Sequence, residues 1–317
     1  MEYVFTVTLP IYLGIALGFC VVRWGWMQPL EVRALGKYTV LIGVPALLFR
    51  AISHQSLGAV LHADYLLVYA LGSLLAMGLV TLVAWRLLGR TLSLAALQGL
   101  GAAGSNSMFI GYPIAVQVIG PSAAVALALC TLVENLLVMP LGLALADAGT
   151  AGKRQSLRAW LWNTLRTVAR NPMILAISAG LLVSALGWQL PAALDKTVSM
   201  VASASSPIAL FVIGGSLVGL RLSGIRSDLA LIVGGKLLLH PLCVLVLLLL
   251  FPPADALLRT AALLFAAAPM MSIYPMLAQR QGQERLCSAA LLAATVASFF
   301  TLGAGLALLP AAWLPLR

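Results

Sequence analysis

Charge is what this sequence has least of. Only 9% of its 317 residues are Asp, Glu, Lys or Arg, 62% are hydrophobic, and the mean hydropathy is +1.05. An ordinary soluble domain carries roughly 25% charged residues, so a water-soluble globular fold is excluded. Cysteine is scarce too. Cys20, Cys130, Cys243 and Cys287 lack the spacing of a zinc site or a disulfide framework and read as small apolar packing residues. His54, His62 and His240 are scattered, and HExxH, GxSxG and paired aspartates at membrane depth are missing, which removes the usual intramembrane enzymes. No loop has the length of an appended sensor domain, and no cofactor is expected. Glu2 precedes the first apolar run without a basic n-region or a clear cleavage motif, so that run is expected to remain as a helix.

Apolar runs fill the space that charge leaves. A bilayer core of about 30 Å takes about 20 residues per helix. Reading between charges and turn signals gives spans at 3–22, 34–53, 65–85, 94–118, 122–146, 172–187, 196–219, 228–251, 257–278 and 286–309. The expected fold is an all-α polytopic membrane protein of ten transmembrane helices.

The net charge of +10 concerns orientation rather than nucleic acid. Arg23, Arg33, Lys37, Arg86, Arg90, Lys153, Arg154, Arg158, Arg166, Arg170, Arg221, Arg226, Arg280 and Arg285 fall in loops on one side, and Arg50, Lys196, Arg259 and Arg317 on the other. By the positive-inside rule the first side is cytoplasmic and both termini are outside. Trp24, Trp26, Trp85, Trp160, Trp162, Trp188 and Trp313 lie near span ends, as interfacial anchors do.

The two halves share one register. Pro10 and Pro172, Gly18 and Gly180, Pro45 and Pro207, and Pro113 and Pro275 are each 162 residues apart. So are Leu48 and Leu210, Phe49 and Phe211, Tyr112 and Tyr274, Gln117 and Gln279, and Gly120 and Gly282. With five spans per copy, an odd number, the second copy must enter the membrane inverted. The expected organisation is residues 1–150 as the first five-helix repeat, 151–171 as a basic cytoplasmic linker and 172–317 as the second repeat. Secondary transporters are often built this way, with their sites where discontinuous helices meet at the midplane.

Span four contains GSNSMFIGYP, 104–113, and span nine AAAPMMSIYP, 266–275. Pro113, Pro269 and Pro275 each remove a backbone donor, and Gly104 and Gly111 loosen span four. Backbone groups freed in this way cannot face lipid, so they must line a wet cavity or be buried in protein. Two breaks at matching depth predict a crossover whose half-helix N-termini suit a carboxylate.

The run SNSMFIGYP followed by Gly120 resembles the fourth-helix signature of the auxin efflux carrier family, which includes plant auxin exporters and bacterial permeases for malonate, malate and similar acids. The span layout and basic central loop agree over nearly the whole chain. The resemblance implies a scaffold of helices one, two, six and seven, and a transport domain of helices three to five and eight to ten that moves against it. Asn106, Gly111, Pro113 and Gly120 match the first crossover helix, and Pro269, Tyr274 and Pro275 fit the second. Met270 and Met271 stand where the family often has small or hydroxylated residues. The short central loop points to a bacterial permease in the inner (cytoplasmic) membrane, with both termini periplasmic and a small organic anion as substrate.

Candidate binding residues are Asn106, Ser107, Gly111, Tyr112, Pro113, Pro269, Met270, Ser272, Tyr274 and Pro275. Asn106 and Ser107 either hold a carboxylate or satisfy freed backbone groups; Tyr112 and Tyr274 either touch substrate or pack beside the prolines. Met108, Met270 and Met271 either adapt to varied apolar groups or fill gaps. Glu134 lies within span five and Lys236 within span eight, with His240 at i+4 from the lysine. With Asn135, these form either a coupling or proton-relay centre or an ion pair that stitches helices together. Pro45, Phe49, Pro207 and Phe211 would line the scaffold wall. Gly14 and Gly18 make a small-residue face for close packing or a homodimer seam. A sodium-coupled symporter of bile-acid-transporter-like architecture is the alternative; it would need oxygen ligands, drawn from Glu134, Asn135, Thr131, Thr295 and Ser298.

Overall fold

The computed structural model describes residues 2–55, 62–149, 157–219 and 226–308. Lys153, Arg154, Arg221, Trp313 and Arg317 lie outside them. The described residues form α1 (Glu2–Arg23), α2 (Pro29–Ser53), α3 (Ala63–Leu87), α4 (Leu92–Ala103), α5 (Ser107–Ile119), α6 (Ser122–Ala148) and α7 (Leu157–Ala169). After these come α8 (Pro172–Ala185), α9 (Ala192–Ser216), α10 (Arg226–Leu250), α11 (Ala256–Ala267), α12 (Tyr274–Leu277) and α13 (Glu284–Leu308). Among the described residues α2, α3, α6, α9, α10 and α13, six in all, are long and apolar enough to cross a membrane by length and composition. Among the described residues the regular structure is all helical, and the chain is an integral membrane protein.

Proline shapes the inside of these helices. Within α2, α6 and α10, and at the start of α5, a π-helical turn precedes a proline: Thr39–Gly43 before Pro45, Glu134–Val138 before Pro140, Gly235–Leu239 before Pro241, and Ser107–Gly111 before Pro113. A proline has no N–H for the carbonyl four residues back, so the helix widens locally. The preceding residue bonds five back instead: Val44 to Thr39, Met139 to Glu134, His240 to Gly235 and Tyr112 to Ser107. Each widened turn holds one extra residue and so rotates the following helix face by about 100°.

Both sequence breaks are present, at Gly104 and Pro269 as expected, but Pro113 and Pro275 do not cause them. Pro113 lies beyond the π turn inside α5, and the chain leaves helical geometry earlier, at Gly104–Asn106. Pro275 is likewise within the first two positions of α12, where a missing N–H costs little, while Ala268–Ile273 separate α11 from α12. The pieces before the breaks match, α4 and α11 having 12 residues each. Those after do not: α12 has 4 residues, and a 3-10 turn at Gln279–Gln281 follows it.

Helix pairing runs across the chain. α1 packs along α9, and α8 along the C-terminal part of α2. Both contacts depend on bare glycines. A Cβ at Gly18 would run into the Phe211 carbonyl, one at Gly214 into the Ile15 carbonyl, and one at Gly180 would lie 3.0 Å from the Phe49 carbonyl. The Gly18 face is therefore occupied within the chain, by α9. A second body is built from α3 against α4 and α10, α10 against α11, and α4 against α6.

Candidate functional site

The two breaks cross in the protein interior. Ser105 and Met270 form an isolated antiparallel bridge, in which the Asn106 N–H donates to the Pro269 carbonyl at 2.7 Å and the Met271 N–H to the Gly104 carbonyl at 3.3 Å. Backbone groups released by the breaks thus satisfy one another. Asn106 adds a side-chain link, its Nδ2 donating to Ser272 Oγ at 2.8 Å while its Oδ1 accepts from the Phe109 N–H at 3.2 Å, capping α5. Among the described residues nothing accepts from the N–H groups of Ser107 and Met108, although Ser107 is buried. These two donors and the Asn106 amide sit at the positive end of α5.

A polar network supports the crossing from behind. Glu134 Oε1 accepts from the Ser105 N–H at 3.1 Å, Ser107 Oγ at 3.0 Å and Tyr69 OH at 3.3 Å. Lys236 Nζ donates to Ser105 Oγ at 2.7 Å, to the Ala266 carbonyl at 2.7 Å and to His240 Nδ1 at 2.8 Å, which occupies all three ammonium donors. His240 is then the Nε2–H tautomer, donating to Ser73 Oγ at 3.0 Å. Glu134 and Lys236 make no direct ion pair among the described residues; Ser105 joins them, its backbone to one and its hydroxyl to the other. The carboxylate faces the N-terminal end of α5 and the ammonium the C-terminal end of α11, so each charge opposes the nearest helix dipole. Both charged residues and Ser107 lie in π turns.

Other predicted residues are placed differently. Asn135 turns away from Glu134: its Nδ2 donates to the Thr131 carbonyl at 2.9 Å, and its Oδ1 accepts from Asn171 Nδ2 at 2.9 Å. Tyr274 is fully buried, its ring over Gly101 and its hydroxyl on the Leu97 carbonyl at 3.0 Å, which makes it a packing residue of α4. Tyr112 is also buried. Met271 packs over Gly104, Met270 is fully buried, and Gly111 meets Phe265, whose Cδ1 would be 2.7 Å from an added Cβ. Pro207 and Phe211, with Pro10, Gly14, Pro113 and Gln117, line an apolar cavity of ≈ 610 Å³ between α1, α9 and α5; Pro45 and Phe49 are half-buried elsewhere. Asn106 and Ser272 are not among its lining residues.

The Thr295 and Ser298 hydroxyls donate to carbonyls of their own helix at 2.7 Å each. No group of His, Cys, Asp and Glu among the described residues could hold a metal ion. Residue types alone did not single out Ser105, Tyr69 or Ser73, the last two being buried on α3. Nor did they single out Asp228, a buried carboxylate that accepts from Arg90 Nε at 2.8 Å and Gln98 Nε2 at 2.9 Å and fastens α10 to α4. Pro140 and Pro241 were the readable signal, since each marks the widened turn that holds Glu134 or Lys236.

Residues 3–304 match the family model described as "Membrane transport protein". A Rhizobium meliloti (strain 1021) protein named "Putative malonate transporter" is 28% identical over 309 residues, 97% of this chain and 96% of that protein. A protein of Escherichia coli (strain K12) named "Uncharacterized transporter YfdV" is 26% identical over 250 residues, 75% of this chain and 76% of its own length. The Shigella flexneri protein of the same name matches to the same extent. The family and these relatives are transporters rather than enzymes. With the match covering nearly the whole chain and the SNSMFIGYP run forming one arm of the crossing, the chain belongs to the auxin efflux carrier family of membrane transport proteins.

Proposed function

We propose that the protein is a secondary transporter for a small organic anion, a mono- or dicarboxylate such as malonate or malate, working by alternating access around the crossing of the two broken helices. The observation that carries this reading is the placement of the Ser107 and Met108 N–H groups and the Asn106 amide at the positive end of α5, with Asn106 and Ser107 buried in a membrane protein. Donors of this kind suit a carboxylate. In this reading the chain has ten spans in two inverted repeats, with both termini periplasmic in a bacterial inner membrane. The α1–α9 and α2–α8 pairs form the scaffold, and the remaining spans carry the site. The equal lengths of α4 and α11 and the reciprocal pairing of α1 with α9 and α8 with α2 support that division. The relative named for malonate supports the substrate class.

Coupling to protons follows from the charge balance. With Glu134 ionised and Lys236 charged, the network is neutral, and an arriving anion adds a net negative charge in a low-dielectric site. With Glu134 protonated, the Lys236 ammonium balances that anion, so proton and anion travel together. Lys236 already supplies a fixed positive charge, joined to Glu134 through Ser105, which favours the proton over sodium.

Counterflow in proteoliposomes preloaded in turn with malonate, malate, lactate and indole acetate tests the proposal. Exchange of a labelled small carboxylate, lost in Asn106→Ala, is the expected result. Absence of exchange for every acid, in protein that remains folded, overturns it.

A further inference from the structure

α7 takes no part in the crossing. Its sequence, LRAWLWNTLRTVA, carries Arg158 and Arg166 and no acid, and Arg170 follows it. Arg158, Trp162, Leu165, Arg166 and Ala169 recur at helical spacing and share one arc of about 100°. All five are exposed, Trp162 at 68% and Leu165 at 61%. Trp162, Leu165, Arg166 and Ala169 line an apolar depression of ≈ 440 Å³. An apolar strip flanked on one side by Arg166 and Arg170 and begun one turn earlier by Arg158, in a chain already held in a bilayer, matches a helix lying in the interface, with its apolar side chains in the acyl boundary and its guanidinium groups among headgroups. A second Trp–Arg pair stands on the side of the membrane predicted for α7, where the Arg86 guanidinium lies 4.2 Å from the centre of the exposed Trp85 ring.

The end of α7 is fixed rather than free to swing. Asn171 Oδ1 caps the Met173 N–H of α8 at 2.9 Å, and Asn171 Nδ2 holds Asn135 of α6. The Arg170–Asn171 corner is thus tied to the helix that carries Glu134.

We propose that α7 is an in-plane membrane helix that binds anionic phospholipid, with Trp162 and Leu165 in the acyl boundary and Arg158, Arg166 and Arg170 on the phosphate headgroups. Charge complementarity selects this occupant: the exposed arginines have no acidic neighbour on the helix, and the apolar strip beside them suits acyl chains. Each arginine near an anionic surface contributes about fivefold to membrane association.

Hydrogen–deuterium exchange of the full chain tests this independently of transport, in nanodiscs of phosphatidylcholine alone and of phosphatidylcholine with phosphatidylglycerol. Exchange over 157–169 is expected to slow at least fivefold with the anionic lipid. That slowing should vanish in Arg158→Gln/Arg166→Gln/Arg170→Gln while exchange elsewhere is unchanged, and inorganic phosphate added to the neutral nanodiscs should not reproduce it. If the triple variant exchanges faster throughout, single Arg166→Gln replaces it, and loss of part of the protection is then expected. Equal exchange in the two lipids overturns the proposal, as does full protection retained after the arginines are removed. Protection by free phosphate to the same degree overturns the lipid assignment.

Discussion

The Asn106 N–H and the Pro269 carbonyl meet at 2.7 Å, so the two breaks in the chain satisfy each other. The crossing is held by the protein's own backbone, and residues that build it can be separated experimentally from residues that face a ligand.

Asn106 and Tyr274 make that separation. Asn106→Ala is expected to raise the KM for carboxylate counterflow by tenfold or more, since a donor at the positive end of α5 is lost. Tyr274→Phe removes the hydroxyl with its bonds to the Leu97 carbonyl and to the Cys287 thiol, each worth about 1 kcal/mol or less. It should lower the melting temperature in detergent by a few degrees and leave KM unchanged. A KM change in Tyr274→Phe alone would place the substrate on α12 instead.

Glu134→Gln fixes the carboxylate position in an uncharged form that still accepts hydrogen bonds. Counterflow should persist, while the pH dependence of net uptake flattens. Stopped acid-driven uptake with retained exchange checks this, and an unaltered pH profile would make Glu134 a purely structural group.

Lys236→Met leaves Glu134 buried without its compensating cation, which typically costs 3–5 kcal/mol. Glu134→Gln/Lys236→Met removes both charges and should be less destabilised than the sum of the single variants, as coupled neighbours are. Melting temperatures of the four proteins complete the cycle. Strict additivity would show that Ser105 does not transmit the charges to each other.

Pro241→Ala returns an N–H to α10 and allows the Gly235–Leu239 turn to close as ordinary α-helix. Lys236 then rotates away from Ser105 and Ala266. Transport is expected to fall at least tenfold with thermal stability held or raised, an outcome that mere unfolding does not give.

Gly18→Leu should prevent α1 from seating on α9, because the Phe211 carbonyl occupies the space; yield of monodisperse protein in detergent is the readout. Gly14→Ala, facing Leu210 Cβ at 3.3 Å, should be tolerated with a small loss.

Breaks and breakers were legible in the sequence because Gly and Pro act locally. The shared register around Pro113 and Pro275 pointed to the right two segments, and the chain opens at Gly104 and around Pro269, while Pro113 and Pro275 lie within half-helices, where a proline near the start is no obstacle. Asn135 lies inside the widened Glu134–Val138 turn, whose phase a straight helical wheel does not include, and Tyr274 packs on α4, one of its two readings, because it opens α12 directly after the break. Ser105, Tyr69 and Ser73 are ordinary residues whose roles depend on helices brought together from distant parts of the chain. No local pattern announces such partners.

The glycine seats of α1 and α9 also bear on how the molecule is assembled. α1 leaves the ribosome among the first helices, while α9, against which its Gly18 lies, is made only after the first half of the chain is complete. The same holds for α2 and α8. Until then the early helices lack the surfaces they are shaped for and must wait in the lipid. The two halves are interlocked like clasped hands, so severing the chain between them gives fragments that mature only when both are produced together.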